Sequence, residues 1–593
     1  MRGYESLAKS FLFQISLSSV SLIIMKEKLE AQIKDVLNTL GLPEVSFVVE
    51  HPADLSHGDY STNVAMLAGK TQGVNPLELA EKIAGVLRQN QSDSLSQIIV
   101  AKPGFINFFL SNKFLVESIG GILKRGSKFG SNDSLAGQKT IVEYTDANPF
   151  KEMHIGHLMS NAIGESFSRI YKWNGAEVRN ACYQGDKGIH VARAVAHKLK
   201  SGIEWRNAQD VAASYAEGSK SYETEEVFKA FVVEINKKIY DESDKEVNEA
   251  YMLGRKLTLE YFEAIYRKLD TKFDHYFFES TTGEFGKAIV HDNTPKIFEE
   301  SEGAIVYHGE KRDPALHTRV FINKEGLPTY EAKELGLAKI KYDIYPYDIS
   351  IVVTGNEINE YFRVLLRAMK EIFPELAEKT KHISHGMLRL PTGKMSSRTG
   401  DVITAEWLIN EVKSKVMEKL QASERNIENK DELAEMVAVG AIKYSILKQT
   451  PGRDIIFDFD KSLSFEGDSG PYLQYSFARA NSVLERAKDL EAKLSKAGDM
   501  EIGELHRMLY RFPEIVKRSL LEMSPNMIVT YLTEIASMFN KFYAENIILD
   551  EKNPELSSQR IALTSALARV LKNGMDILAI PECPYRNCVT IKK

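Results

Sequence analysis

The chain has 593 residues, of which 43% are hydrophobic and 27% charged, with a formal net charge of −6. That is the composition of an ordinary soluble globular protein, of roughly three to five domains at about 150 residues each. Three cysteines, Cys182, Cys583 and Cys588, with no Cys-x-x-Cys pair, argue against a disulfide framework and a four-cysteine zinc site and point to a reducing cytoplasm. Mild overall acidity does not exclude an RNA partner, because nucleic acid is held by local basic patches.

Residues 1–24 are unusual. Phe11 to Ile24 is apolar and serine-rich behind Arg2 and Lys9, yet it is too short to span a membrane and no small-residue cleavage site follows. The simplest reading makes Met25 the natural start and the preceding residues an extension, with targeting as the alternative. No later segment is a transmembrane candidate. Residues 25–125 read as a small α+β domain, with an amphipathic helix over Lys26–Leu40 and strands at Val45–Val49, Ile98–Val100 and Phe105–Leu110. Gly126–Gly137 reads as a linker. Residues 138–400 alternate strands (clearest at 140–145, 351–354 and 383–388) with helices, which predicts an α/β domain with a parallel sheet and crossover connections. Within it, about 195–270 reads as a charged helical insertion. Residues 401–465 read as a helical stem and 466–593 as an all-α bundle, divided by Pro451-Gly452 and a glycine-rich turn near Gly467–Gly470.

Two motifs carry the chemistry. His154-Ile155-Gly156-His157 follows an apolar run, Thr140 to Tyr144, and opens a helix-like stretch to Trp173. A strand-to-helix turn presents backbone N–H groups and a positive dipole end to an anion, and Gly156 allows close approach. Two imidazoles there can donate to phosphate oxygens. Lys394-Met395-Ser396-Ser397 adds a cation and two hydroxyls on a polar loop between Gly393 and Gly400. Together they suit the triphosphate of ATP. A lone histidine or loop lysine is as often a plain surface group, so the pair matters more than either member.

Glu143-Tyr144-Thr145-Asp146-Ala147-Asn148-Pro149-Phe150-Lys151-Glu152-Met153, leading into the histidine motif, and Gly393 to Gly400 resemble the class I aminoacyl-tRNA synthetases, specifically the arginyl-tRNA synthetase family. The likeness continues in Phe273-Asp274, Glu279-Ser280, Gly470 to Tyr475 with Arg479, and Leu571-Lys572-Asn573-Gly574, from Met25 to about Pro581. It implies a Rossmann-type catalytic domain with a small amino-terminal domain and a helical anticodon-binding bundle. It also implies the reaction: arginine and ATP give arginyl-adenylate and pyrophosphate, and arginine then passes to the terminal ribose of its tRNA. His154 and His157 would hold the phosphate chain and Lys394 the departing pyrophosphate. Lys151 matches a lysine that many members use when the second motif has lost its own, and this chain keeps both. Mg²⁺ is expected with ATP, held by phosphates and water; no zinc is expected.

The guanidinium of L-arginine needs carboxylates in forked hydrogen bonds. The family pattern carries onto Glu143, Asn148, Tyr330 and, one helical turn on, Glu334 where the family has aspartate; Asn356 is a softer member. Without the resemblance, Glu143 and Glu334 read better as surface carboxylates at a helix or strand edge. For tRNA, the resemblance points to Tyr472, Tyr475, Arg479 and Tyr543 at the anticodon and Asn107 and Phe109 at the elbow, although tyrosines at helical spacing ordinarily face a core. The expected partners are tRNA, L-arginine and ATP, with no membrane partner and a monomeric state. Competing readings are a cysteinyl or glutaminyl enzyme, a smaller nucleotidylyltransferase and a non-catalytic RNA-binding relative. Cysteines too scattered for a zinc-bound pocket, acids at 143 and 334, chain length and intact His154, His157 and Lys394 weigh against these in turn.

Overall fold

A computed structural model describes residues 24–391, 403–422, 429–487 and 501–583. The chain divides into two compact units. One comprises Met1–Ser131, Tyr475–Arg518 and Thr530–Gly574; the other comprises Asn132–Gln474, Ser519–Val529 and Met575–Lys593. The amino-terminal extension, except Ile24, lies outside the described residues.

In the first unit, a four-stranded antiparallel sheet runs in the order Val49–Glu50, Tyr60–Thr62, Phe105–Leu110, Leu95–Ala101. Helices Met25–Thr39 and Pro76–Gln89 bury Leu29, Ile33, Val36, Leu79 and Ile83 against it. The strand expected at Val45–Val49 reduces to Val49–Glu50, because Leu42, Val45 and Phe47 pack on the core as partly buried side chains without pairing. The amino-terminal domain and the carboxy-terminal helices share this core: Tyr510 joins the same apolar cluster, Arg507 bonds the buried Asp59 at 2.6 Å, and His51 lies 3.1 Å from Glu514.

The second unit is built on a five-stranded parallel sheet in the order Thr380–His385, Ile349–Gly355, Lys139–Glu143, Glu177–Gln184, His275–Phe278. The first strand in sequence, Lys139–Glu143, therefore lies between the second and the fourth. The strand order reverses at that point, where a doubly wound sheet opens a crevice at its carboxyl ends. Three strands were anticipated in outline. Glu177–Gln184 was not, because Arg179 and Asn180 interrupt its apolar run. Asn180 is nonetheless satisfied inside the sheet, through the Ser168 hydroxyl at 2.6 Å and the Lys272 carbonyl at 3.0 Å. A small antiparallel sheet, Glu299–Ser301, Ala304–His308 and Thr318–Ile322, was also missed. The segment expected as one strand at 383–388 ends at His385; Leu388–Arg389 pairs instead with Ile455–Ile456.

Helix Ile155–Trp173 lies on the sheet, buried through Leu158, Ile163, Phe167 and Ile170. Gly164 lets it touch the first strand's extension: a Cβ there would sit 2.3 Å from the Tyr144 side chain. Gly164→Ala should destabilise the fold by about 1–3 kcal/mol, the usual cost of overpacking, read from the urea midpoint; an unchanged midpoint would refute this contact. Between the second and third strands, helices Ile189–Ser201, Ala208–Thr224, Glu226–Asp241 and Lys245–Lys268 enclose their own core of Val191, Val195, Trp205, Phe228, Val232 and Ile235. Helices Ala405–Gln421 and Lys430–Leu447 follow the sheet. Cys182 is buried and free, whereas Cys583 is disulfide-bonded, against the expectation from three scattered cysteines.

Candidate active site

The turn that leaves the first strand is held in conformations that side chains avoid. Thr145, Asp146 and Phe150 have φ of 79°, 50° and 70°, left-handed values that persist only where neighbouring bonds fix them. Those bonds are present. Thr145 N–H donates to Ser160 Oγ at 2.9 Å, and Ser160 Oγ donates to the Val353 carbonyl on the fourth strand at 2.8 Å. Asp146 accepts the Tyr183 N–H and Asn148 accepts the Gly185 N–H, each at 2.7 Å. The strands on either side of the crevice are thus tied to one turn.

That turn ends in a reciprocal cap on helix Ile155–Trp173. Gly156 N–H donates to His154 Nδ1 at 3.1 Å and His154 N–H donates to His157 Nδ1 at 3.0 Å, with ring centroids 3.6 Å apart. Both Nδ1 atoms accept, so each neutral ring carries its proton on Nε2 and offers one donor. Desolvation is the main force holding both imidazoles below their ordinary pKa; the Lys151 charge adds to it. At neutral pH the turn therefore presents two uncharged donors beside a helix N-terminus.

Lys394, Met395, Ser396 and Ser397 lie outside the described residues. The chain that follows them does not. Ile403 accepts the Ile155 N–H at 3.1 Å, Ala405 N–H donates to the Met153 carbonyl at 2.7 Å, and Thr404 bridges to His154. Nine residues after Lys394, the backbone is bonded to the histidine turn itself.

A cleft of about 500 Å³ opens at the crevice. Glu143, Asn148, His154, Gly156, His157, Tyr330 and Glu334 line it, as do Asp146, Glu279, Arg319, Glu331 and Glu357. The acids dominate, and three of the six have cation partners. Glu143 holds Lys341 at 2.6 Å with both side chains buried, Glu279 holds Lys333 at 2.5 Å, and Glu331 lies 3.6 Å from Arg319. Burial, followed by the Glu143 charge, pushes the Glu334 carboxyl up to about 8. Such a cleft suits a ligand with a planar cation at one end.

Residues 118–459 match the sequence family described as "tRNA synthetases class I (R), catalytic domain". Residues 473–583 match "DALR anticodon binding domain" and 26–110 match "Arginyl tRNA synthetase N terminal domain". The chain belongs to the arginyl-tRNA synthetase family of class I. It is 31% identical to an arginine–tRNA ligase of Treponema denticola over 563 residues, 91% of this chain and 95% of that protein. An arginine–tRNA ligase of Clostridium botulinum is 28% identical over 567 residues, 94% and 98% of the two chains. Among solved structures, the arginyl-tRNA synthetase of Thermus thermophilus shares the fold with a TM-score of 0.76 at 23% identity, covering 95% of this chain and 100% of that one. That of Plasmodium falciparum has a TM-score of 0.74 at 20% identity, covering 94% and 99%. Class I synthetases of this family are ATP-dependent ligases.

For this arginyl-tRNA synthetase family member, the remaining residues singled out from sequence fall in varied settings. Lys151 is partly buried with its ammonium 5.0 Å from the centre of the Tyr215 ring, on insertion helix Ala208–Thr224. Asn356 belongs to the short turn Asn356–Ile358, of which Glu357 and Ile358 line the cleft. Tyr472 is 7% exposed and Tyr475 only 4%, so neither offers a free ring face. Arg479 is bonded to Asn540 at 2.6 Å and lies 4.5 Å from the Tyr475 ring and 4.7 Å from that of Tyr543. Asn107 is buried and accepts the Ser61 hydroxyl at 2.7 Å; Phe109 is partly buried on the same strand.

Sequence reasoning missed Lys341, Lys333 and Arg319, the three cations that answer the cleft's acids. Lys341 was findable: it follows Glu334 by seven residues, two turns along helix Tyr330–Ile344 and on one face with it. Among the described residues, no group of three histidines, cysteines or acids is arranged to hold a metal, and no helix is long and apolar enough to cross a membrane.

Proposed function

We propose that this cleft activates arginine with ATP and loads it onto tRNA, with roles divided as follows. The arginine carboxylate attacks the α-phosphorus of ATP, and pyrophosphate leaves with the electron pair of the broken P–O bond. The Nε2–H groups of His154 and His157 bind phosphate oxygens as charge builds on them, and the N-terminus of helix Ile155–Trp173 adds its dipole. Lys394 neutralises the leaving pyrophosphate, from a segment whose far end is bonded to the same turn. A terminal ribose hydroxyl of tRNA then attacks the adenylate's carbonyl carbon; AMP departs with the electron pair of the broken C–O bond, and the hydroxyl proton is released. No protein nucleophile is needed; alignment and charge neutralisation carry both steps. The observation that carries this reading is the pairing of two neutral imidazole donors with an acid-lined cleft at the sheet's switch point.

Glu334 takes the guanidinium, one turn from Tyr330, an exposed residue that also lines the cleft. Glu143 and Asn148 shape that subsite through Lys341 and Gly185. Mg²⁺ fits as an ion carried by ATP phosphates and water, with Glu357, exposed beside the histidine turn, as a protein oxygen within the cleft; it would offset phosphate charge. Arg479 and Tyr543 are the proposed anticodon contacts, with the buried Tyr475 ring packed on Arg479; Tyr472 is a further proposed member, and Asn107 and Phe109 belong to the elbow-facing domain. The proposed organisation is a tRNA-contacting domain at 25–125, a catalytic domain at 138–400 with its insertion at 195–270, a stem at 401–465 and an anticodon-binding bundle at 466–593. A monomer working in the cytoplasm completes the reading.

Glu334→Gln should raise the KM for arginine roughly ten- to a hundredfold, the value of a charge-assisted pair at about 1.5–3 kcal/mol, and leave the KM for ATP near its original value; equal losses would remove Glu334 from the subsite. Lys394→Ala should slow adenylate formation about 10²–10³-fold if the ammonium acts as a preorganised charge, whereas an unchanged rate assigns that work to Lys151. The whole reading is tested by aminoacylating bulk tRNA with each of the twenty amino acids. Arginine alone should be esterified, and any other product, or none, refutes it.

A further inference from the structure

Resting on the reading of the cleft as an arginine site, the distribution of its charges says how the substrate's own charge is balanced. Glu143, Glu279 and Glu331 each have an internal cation, and Asp146 accepts a backbone N–H. Glu334 has neither a hydrogen bond nor an ion pair among the described residues. What faces it is mostly acidic: Glu143 from the first strand, Glu279 from helix Glu279–Asp292 and Glu331 from its own helix, while Asp146 on the turn is itself pushed well above an ordinary aspartate by burial and then by the Glu143 charge. Lys341 is the favourable charge within reach, and it is committed to Glu143; Lys333 and Arg319 are likewise committed. Tyr183 and Tyr361, which approach from strand Glu177–Gln184 and helix Asn359–Ile372, are hydroxyls kept uncharged by burial.

A carboxylate without a counter-ion, crowded by another carboxylate, lowers its energy by taking a proton. Burial, and then the Glu143 charge, push the Glu334 carboxyl up to about 8, which favours its protonated form at neutral pH. We infer that L-arginine enters this cleft by exchange, its guanidinium taking the place of one proton that the Glu334 carboxyl releases to solvent. The balance is simple: a neutral carboxyl and a guanidinium cation become an ion pair and one free proton. No covalent bond to the substrate forms. Side chains of like shape without the positive charge would leave the proton in place and gain no ion pair, so the exchange also selects for charge.

Linkage gives the sign. Below about pH 8, each arginine bound must expel a proton, so affinity falls as pH falls; above it, Glu334 is already ionised and affinity levels off. Titration calorimetry of the full chain with L-arginine, in two buffers of different ionisation enthalpy near neutral pH, counts the protons. We expect about one proton released per arginine, and a dissociation constant that rises about tenfold for each pH unit below 8. Glu334→Gln should bind arginine more weakly and release none. Tight binding without proton release, at a dissociation constant flat across this range, overturns the exchange but leaves the arginine site standing. Release that persists in Glu334→Gln overturns the assignment to Glu334. Absence of any arginine binding by the unaltered chain overturns the site itself and the exchange with it.

Discussion

His157→Ala is expected to slow arginyl-adenylate formation about 10²–10³-fold, the range for loss of one preorganised donor to a developing oxyanion. The loss has two sources. The Nε2–H aimed into the cleft disappears, and the His154 N–H loses the Nδ1 acceptor that completes the cap. His157→Asn separates them, because its amide oxygen can still accept from His154 while its NH₂ group is shorter than an imidazole. Pyrophosphate exchange with bulk tRNA present reads the rate; a loss below tenfold in His157→Ala would remove the ring from the phosphate path. The neutral state of these rings also sets a pH dependence. Both folded imidazoles are held below their ordinary value, chiefly by desolvation. The unfolded chain therefore takes up protons first as pH falls. The turn's contribution to stability is whole above about pH 6.5 and fades below it towards the lower folded values.

Lys341→Met should cost about 3–5 kcal/mol of stability, the penalty for leaving one partner of a buried ion pair alone. Lys341 and Glu143 are 3% and 1% exposed, so water cannot reach the stranded carboxylate. Their 2.6 Å bond joins helix Tyr330–Ile344 to the central strand. Adding Glu143→Leu to Lys341→Met should restore most of the loss, since a buried pair replaced on both sides by apolar groups is often close to neutral. Guanidinium denaturation midpoints measure both. A single variant as stable as the parent, or a double variant no better than the single, would show that the pair is not buried as described.

Much of this molecule was legible beforehand, for definite reasons. Thr140 to Tyr144 reads as a strand because it is fully buried in a parallel sheet, and the helix from Gly156 to Trp173 reads as one because its apolar residues recur at helical spacing. Strand Glu177–Gln184 was hidden by Arg179 and Asn180, polar residues that only their tertiary partners make acceptable. Val45–Val49 misled for the opposite reason: apolar residues there are buried by packing alone. The histidine turn was read from its residue types, but not the tautomers, which follow from two backbone N–H groups that no local pattern displays. In the cleft, the acids were found by resemblance and their cations were not. Lys341 shares a helix face with Glu334, but its ion-pair partner Glu143 lies 198 positions away, so the pairing itself leaves no local mark. Tyr472 and Tyr475 illustrate how one spacing serves either a binding face or a core; both are buried.

The convergence of the histidine turn and the lysine loop on one phosphate chain is tested most directly by a double-mutant cycle on pyrophosphate exchange, using His157→Ala and Lys394→Ala. If both groups act on the same departing pyrophosphate, the double variant loses much less than the product of the two single losses, because either removal already disables the shared step. Losses that multiply in full, or a Lys394→Ala variant as fast as the parent, would contradict it.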